Sequence, residues 1–393
     1  MNGRERIMTA LSHGTPDRVP ATPDISTMIP ILLSGAYFYD PLDVTMAYVK
    51  AAKQFGIDGW MFNGSLHFKT NAKISFETKM IKDTYDVKEF LTIMHTPDGD
   101  LTSKTVSPRD VPATTTEKFV KNIKTDYKKL LHMFTFDYLD YDKKYYMEQK
   151  EAIGDTGMIC CFIDCPGFQH YSCWMDLEEL TYAYYDYPDI FEEICELHDR
   201  QCVRKMELAA DAGVESILTG GSGSITLQSP ELFRKLSLPT IKKITKMTKE
   251  AGLISGIHSC GKEFALIEMC ANETDLDYVN PIEIKPQGDC DLADIKRKFG
   301  SKLALMGNLH TSRVMLGPLD LVRLEALKCI RDAAAGGGFV LSTGDQCGKN
   351  TPIENIFEIV KVAQDFGTYP LDIDKIDGEI RRLENKGVKM PDA

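Results

Sequence analysis

The sequence lacks any apolar run close to the roughly 20 residues that a membrane-spanning helix requires, so no membrane segment is expected. Basic residues are outnumbered, with 46 Lys and Arg against 58 Asp and Glu, and the formal net charge is −12. A surface of that sign repels the phosphate backbone of a nucleic acid. We therefore expect neither a membrane nor a nucleic acid as partner, whereas a small neutral or apolar substrate is compatible with this charge.

A disulfide framework is absent as well, because the 11 cysteines are odd in number and irregularly spaced. The N-terminal segment Met1–Arg6 leads into an amphipathic helix and has no apolar signal core. These features predict a reducing, cytoplasmic environment. The length of 393 residues and the hydrophobic content of 43% suit one large α/β barrel with insertions or two ordinary domains.

Short apolar runs alternate with helical patterns along most of the chain. The runs lie near residues 20, 58, 159, 216, 255, 279, 304 and 340. Alternating strands and helices imply a parallel sheet, and eight such units predict a closed (β/α)8 TIM barrel that forms a single domain over residues 1–393. The alternative is an open, doubly wound sheet. It would more readily show a dinucleotide-binding glycine motif after an early strand, and the sequence has none.

A long segment, residues 64–156, separates the second and third predicted strands. Alternating polar and apolar residues flank the turn residues 96–100, which predicts antiparallel strands. The stretches 116–133 and 138–153 have helical spacing. We therefore expect an inserted α+β subregion at this point of the barrel.

The motif His258-Ser259-Cys260 ends one apolar run, and Cys347 follows another. Residues two apart in a strand point to the same face, so the imidazole of His258 and the thiol of Cys260 can converge. A third ligand such as Cys347 would complete a borderline-soft site that suits zinc and leaves a position for substrate. The pair alone is weak, because free cysteines are often buried packing residues. Its place at strand ends, where α/β barrels carry their chemistry, strengthens the hypothesis.

Several separated motifs together resemble the uroporphyrinogen decarboxylase superfamily. They are Gly3–Leu11, Pro16–Pro20, Ser229–Phe233, His258–Gly261, Met306–Asn308, Gly344–Gly348 and Thr351–Asn355. The resemblance covers most of the chain and is weakest over the segment 64–156.

The superfamily has two branches that differ in their site residues. Its decarboxylases carry an Arg-rich segment after the first strand, whereas residues 22–30 here contain no Arg and offer a polycarboxylate no bidentate partner. Its corrinoid-linked methyltransferases use His-x-Cys and a distant Cys as zinc ligands, which His258, Cys260 and Cys347 match. The resemblance therefore implies the methyltransferase branch, with zinc as cofactor and a corrinoid (cobalamin) carried by a partner protein.

Further site residues are expected at the same ends of the strands. Glu283 is a candidate fourth zinc ligand, and an ordinary solvated carboxylate is the equal alternative. Residues expected to line the substrate pocket are Trp60, Phe62, Asn63, Phe162, Asp164, Asp345 and Gln346. Barrel aromatics more commonly serve packing, and His67, His170 and His310 are expected to be structural.

The function implied by the resemblance is transfer of a methyl group from a methoxylated, aromatic donor to the Co(I) corrinoid, as in O-demethylase methyltransferase I. Methylated amines and betaines stay open as donors. Transfer from a methyl-corrinoid to a thiol such as coenzyme M is the first alternative. A metal-free decarboxylase and a non-enzymatic scaffold for the corrinoid protein are the others, and a homodimer is left open.

Overall fold

The structure, a computed structural model, describes residues 1–26, 41–109 and 113–390. Its helices are α1 (Gly3–Leu11), α2 (Pro41–Phe55), α3 (Ile123–Leu131), α4 (Lys144–Ile153), α5 (Phe168–Tyr171), α6 (Leu177–Asp186), α7 (Pro188–Ala212), α8 (Pro230–Leu236), α9 (Leu238–Glu250), α10 (Phe264–Glu273), α11 (Leu292–Phe299), α12 (Thr311–Leu316), α13 (Leu319–Ala333), α14 (Ile353–Phe366) and α15 (Ile373–Asn385). None of these helices is long and apolar enough to cross a membrane.

The strands of the described residues fall into three sheets. They are β1 (Gly59–Gly64), β2 (His67–Thr70), β3 (Ser75–Asp83), β4 (Val87–Thr96), β5 (Gly99–Pro108), β6 (Thr114–Glu117), β7 (Tyr138–Asp142), β8 (Gly157–Phe162), β9 (Ser216–Gly220), β10 (Ile254–His258), β11 (Tyr278–Asn280), β12 (Ala304–Leu309) and β13 (Phe339–Thr343). The largest sheet has seven parallel strands in the order β1-β8-β9-β10-β11-β12-β13. Seven of the predicted apolar runs are therefore confirmed as strands of one parallel sheet.

The first predicted strand, near residue 20, is wrong as a regular strand. It forms only isolated bridges, a parallel one from Ala21 to Leu341 and an antiparallel one from Arg18 to Thr368. Pro20 lacks the N–H that a ladder needs, and the N–H of Ala21 donates to the Asp58 carboxylate at 3.0 Å. The carbonyl of Ala21 accepts from the backbone N–H of Asp58, also at 3.0 Å, just before β1. The described residues thus show an α/β fold with a curled parallel sheet, and a regular closed eight-stranded barrel stays a prediction.

The segment between β1 and β8 contains antiparallel structure. Strands β3 to β6 form a four-stranded sheet, and β2 pairs with β7. The hairpin predicted around residues 96–100 is present as β4 and β5, which pair from Val87↔Pro108 to Thr96↔Gly99. The predicted helix over 138–153 is wrong in its first part, because residues 138–142 pair with β2 as strand β7.

The inside of the curled sheet is closed at one end by helix α1. Ile7, Ala10 and Leu11 of α1 are fully buried against inward-facing strand residues such as Trp60 and Tyr278. Asp58 and Glu215, which precede β1 and β9, form ion pairs with Arg6 and Arg4 of α1. Helix α1 therefore occupies the amino ends of the strands and leaves the carboxyl ends as the open end.

Candidate functional site

A cavity of about 480 Å³ lies at the carboxyl ends of the parallel strands. Seven of the residues predicted for the site line it, namely Trp60, Phe62, Asn63, Phe162, His258, Asp345 and Gln346. The rings of Trp60 and Phe62 are 5.4 Å apart and form with Phe162 an aromatic part of the wall. Among the described residues that line the cavity there is no Lys or Arg. The cavity therefore offers aromatic contacts to a flat apolar ligand. It offers no fixed cation to a substrate carboxylate.

His258 connects the predicted zinc site to this cavity. It is the last residue of β10, and its Nδ1 lies 2.8 Å from Oδ1 of Asn280 at the end of β11. An amide oxygen only accepts, so this contact assigns a proton to Nδ1, and the neutral form of such an imidazole has its lone pair on Nε2. A hydrogen bond of this kind is the usual way in which a metal-binding imidazole is oriented.

Cys260 and Cys347 lie in acidic surroundings. Desolvation raises the pKa of the Cys260 thiol to about 12, and the carboxylates of Asp345 and Glu283 add to the effect. Burial likewise raises the pKa of Cys347, with Asp24 and Asp345 contributing in the same direction. A thiol in such a place ionises only when a cation compensates the charge of its thiolate, so zinc binding by either cysteine would require loss of its proton.

Glu283 belongs to the same group of acids. Its Oε2 accepts a hydrogen bond of 2.5 Å from the N–H of Gly261, directly after Cys260. Desolvation raises the pKa of Glu283 to about 7, with a further contribution from Asp345 and an opposing one from the Gly261 hydrogen bond. The residue is 9% exposed, so it differs from a solvated loop carboxylate. Its role as a fourth zinc ligand stays a prediction.

Asp24 is a site residue that the sequence reasoning missed. It lines the cavity, and its N–H donates to the hydroxyl of Thr343 at 2.9 Å. Its carbonyl accepts from the N–H of Cys347 at 2.8 Å. Desolvation raises the pKa of Asp24, and Asp345 contributes in the same direction. The sequence contains a signal for this role. Asp24 lies shortly after the apolar run near residue 20, just as the other predicted site residues lie at the ends of their strands.

The three predicted zinc ligands thus share one end of the sheet with several carboxylates. In the described part of the chain, however, the ligand atoms of His258, Cys260 and Cys347 do not form a set that lies within 4.8 Å of one another. Coordination of zinc by these three residues therefore stays a prediction.

Asp164 lies outside the cavity lining, in a separate buried cluster. Asp164, His198 and Cys202 bring a carboxylate oxygen, an imidazole nitrogen and a thiol within 4.8 Å of one another, a donor set compatible with zinc. The ring of His170 lies 4.2 Å from that of His198, so His170 adjoins this cluster. The sequence reasoning missed His198 and Cys202, although their spacing of four residues on α7 places both on one helix face.

The sequence matches the family described as uroporphyrinogen decarboxylase (URO-D) over residues 145–366, more than half of the chain. The chain belongs to this family. The matched region contains β8 to β13 and, with them, His258, Cys260 and Cys347. The resemblance seen in the separated motifs is thereby confirmed at the level of the family.

Curated relatives of this URO-D-family chain include the uroporphyrinogen decarboxylases of Coxiella burnetii strains Dugway 5J108-111 and RSA 493 / Nine Mile phase I. Each is 24% identical over 195 residues, which make up 46% of this chain and 49% of the relative. The chain therefore spans about half the length of the curated relatives it matches. A solved methyltransferase from Methanosarcina mazei is 17% identical, with a TM-score of 0.63 over 93% of this chain and 99% of that one. At this identity the likeness concerns the fold.

Proposed function

We propose that this URO-D-family protein is a zinc-dependent methyltransferase, which moves a methyl group from a methoxylated, aromatic donor to the Co(I) corrinoid of a partner protein. The observation that carries the proposal is the position of His258. It lines the aromatic cavity, and its Nδ1 contacts Asn280 so that Nε2 is left for a metal. The fold shared with a solved methyltransferase supports the same choice.

His258, Cys260 and Cys347 would hold the zinc ion, with Glu283 as a fourth ligand that substrate displaces. When bound, zinc supplies a Lewis acid that stabilises the negative charge left on a heteroatom after its methyl group departs. Asp345, which raises the pKa of both thiols, adds negative charge that favours a cation at this place.

The walls of the cavity would bind and orient the donor. Trp60, Phe62 and Phe162 offer ring faces and edges to an aromatic substrate. Asn63 and Gln346 also line the cavity, and their side-chain amides would position polar substituents. A ring that fills the cavity would displace water from it, which would strengthen every electrostatic contact made there.

A decarboxylase of a porphyrinogen-type substrate is the second candidate, because the family match and the Coxiella relatives carry that name. Such a substrate presents several carboxylates that need fixed cations. The described lining of the cavity contains neither Lys nor Arg, which favours the methyltransferase. Transfer from a methyl-corrinoid to a thiol such as coenzyme M would use the same ligands in the opposite direction.

The test is incubation of the zinc-loaded protein with a reduced corrinoid protein and a panel of methyl ethers, amines, thiols and a porphyrinogen. We expect the cobalt spectrum to report methylation with an aromatic methyl ether, and Cys260→Ala to reduce the rate to background. Cys270→Ala is the matched control, because Cys270 is a fully buried core cysteine on α10 and should keep the rate. An unchanged rate in Cys260→Ala, or decarboxylation by metal-free protein, would contradict the proposal.

A further inference from the structure

We propose that Asp164, His198 and Cys202, with His170 as the fourth donor, form a second metal site that binds a structural Zn²⁺ ion. The site is separate from the cavity, since none of these four residues lines it. It does not depend on the proposed methyl transfer. Its occupant is identified by the donor set, because two imidazoles, one thiolate and one carboxylate are ligands that zinc accepts.

The distances around Asp164 agree with the spacing of ligands in a zinc site. Its Oδ2 lies 3.4 Å from Nδ1 of His170 and 3.5 Å from Nε2 of His198. Both distances are long for a hydrogen bond, whose usual length is about 2.9 Å. Zinc bonds of about 2.0–2.1 Å in a tetrahedron place neighbouring N and O ligands roughly 3.3–3.5 Å apart. Each of the two nitrogens is therefore about as far from this oxygen as one zinc ligand is from its neighbour.

His198 provides an independent observation. Its side chain is 1% exposed, and Nε2 makes no hydrogen bond to the described residues. Buried polar atoms are almost always satisfied, so an unpaired ring nitrogen aimed at a carboxylate needs an explanation. A metal ion supplies one. The other ring nitrogen, Nδ1, lies 3.4 Å from the hydroxyl of Tyr171, which would orient the imidazole from outside.

The ammonium group of Lys205 is a positive charge that competes with a metal ion for the carboxylate of Asp164. Its ammonium donates to Oδ1 of Asp164 at 2.8 Å, on the oxygen that does not face the histidines. Oδ2 therefore stays available, and Lys205 would hold the carboxylate in the way that hydrogen-bonded partners hold metal-binding carboxylates. The lysine also offsets part of the negative charge that Asp164 and a Cys202 thiolate bring to the site.

The chain positions of the four donors indicate a structural role. His198 and Cys202 lie one turn apart on α7, whereas Asp164 follows β8 and His170 belongs to the short helix α5. An ion held by all four would tie the segment 164–170 to α7. Four protein ligands leave no position for a substrate, and that is the closed form typical of structural zinc.

The site is tested in the full chain that carries Cys260→Ala and Cys347→Ala, so that metal binding at the cavity cannot contribute. This protein is freed of metal with a chelator, loaded with Co²⁺ as the probe, and passed through a desalting column. We expect about one cobalt per chain, with absorption from a thiolate-to-cobalt transition. Adding Cys202→Ala should remove both signals, and adding Cys270→Ala should leave both in place.

Circular dichroism establishes that each variant is folded. If Cys202→Ala does not fold, His198→Gln gives the same comparison, since the glutamine keeps polar volume but removes the imidazole. Absence of bound cobalt in the folded two-cysteine variant would overturn the second site. Cobalt that persists in both Cys202→Ala and His198→Gln would overturn it equally. Neither result bears on the proposed methyl transfer, because its predicted ligands are already removed in this background.

Discussion

His258 and His170 are both placed near strand ends, yet their surroundings give them different chemistry. His258 shares a hydrogen bond with Asn280 and lines the cavity, which suits a metal ligand. His170 is largely buried, with 18% of its side chain exposed, and this burial lowers its pKa from 6.5 to about 3, with His198 acting in the same direction and Asp164 opposing. An imidazole with so low a pKa is neutral at physiological pH.

This state of His170 predicts how the stability of the metal-free protein depends on pH. Below about pH 6.5, His170 binds a proton in the unfolded chain but stays neutral in the folded protein. The free energy of unfolding should therefore fall as the pH drops. The residue's contribution is about 1 kcal/mol per pH unit between pH 6.5 and 5. Urea midpoints across this range measure it.

His170→Gln provides the comparison for this pH dependence. The variant lacks the titrating group, so its stability should change less steeply with pH than that of the unmodified chain. Parallel curves for the two proteins would mean that His170 is protonated as readily in the folded state as in the unfolded one.

At the scale of elements, strand β10 shows how a single glycine permits the inner packing of the sheet. Gly256 is the register partner of Tyr278 in β11. A Cβ on Gly256 would lie 2.1 Å from Cζ of the Tyr278 ring, which is fully buried. The hydroxyl of Tyr278 accepts a hydrogen bond of 3.1 Å from the indole N–H of Trp60. The glycine therefore makes room for a ring that links β11 to β1 beneath the cavity.

Gly256→Ala should consequently destabilise the protein by about 1–3 kcal/mol through overpacking. It should also change the fluorescence of Trp60, because the ring that its N–H contacts must move. Gly378→Ala in α15 is the matched control, since nothing lies within 4 Å of its added Cβ. That substitution should stabilise the helix by about 0.5–1 kcal/mol. Thermal unfolding checks both, and equal effects would contradict the packing argument.

Elements with a continuous apolar pattern could be predicted from the sequence, whereas those that depend on long-range partners could not. Strands β8 to β13 are buried on both faces, so their apolar runs identify them directly. Strand β7 exists through its pairing with β2, and its tyrosines fit a helical pattern equally well. The bridge at Ala21 is formed with the distant Leu341, through the carbonyl of Pro20 and the N–H of Thr22, while the N–H of Ala21 donates to Asp58.

The site residues follow the same division. Residues directly after a strand could be predicted to line the cavity, because the carboxyl ends of parallel strands meet at one edge. His198 and Cys202 come from a helix, and only the folded chain brings them to Asp164. The sequence alone therefore predicts donors for the first candidate site, whose coordination of zinc stays a prediction, and it misses most of the second.

At the scale of the whole molecule, the two ends of the curled sheet are built differently. The amino ends are closed by α1 and joined to it by ion pairs such as Arg6 with Asp58 at 2.6 Å. The carboxyl ends surround the cavity with aromatic rings, amides and carboxylates. Stabilising contacts at one end leave the other end open for a ligand, as in other α/β enzymes whose chemistry lies at the carboxyl ends of the strands.

The central claim is that His258, Cys260 and Cys347 hold zinc at the open end. Zinc analysis and X-ray absorption of the Cys202→Ala variant test it most directly, because this variant lacks the second proposed site. The account predicts about one zinc per chain, with two sulfur ligands at about 2.3 Å and nitrogen or oxygen ligands at about 2.0–2.2 Å. A folded Cys202→Ala protein that binds no zinc, or binds it without sulfur, would contradict the account.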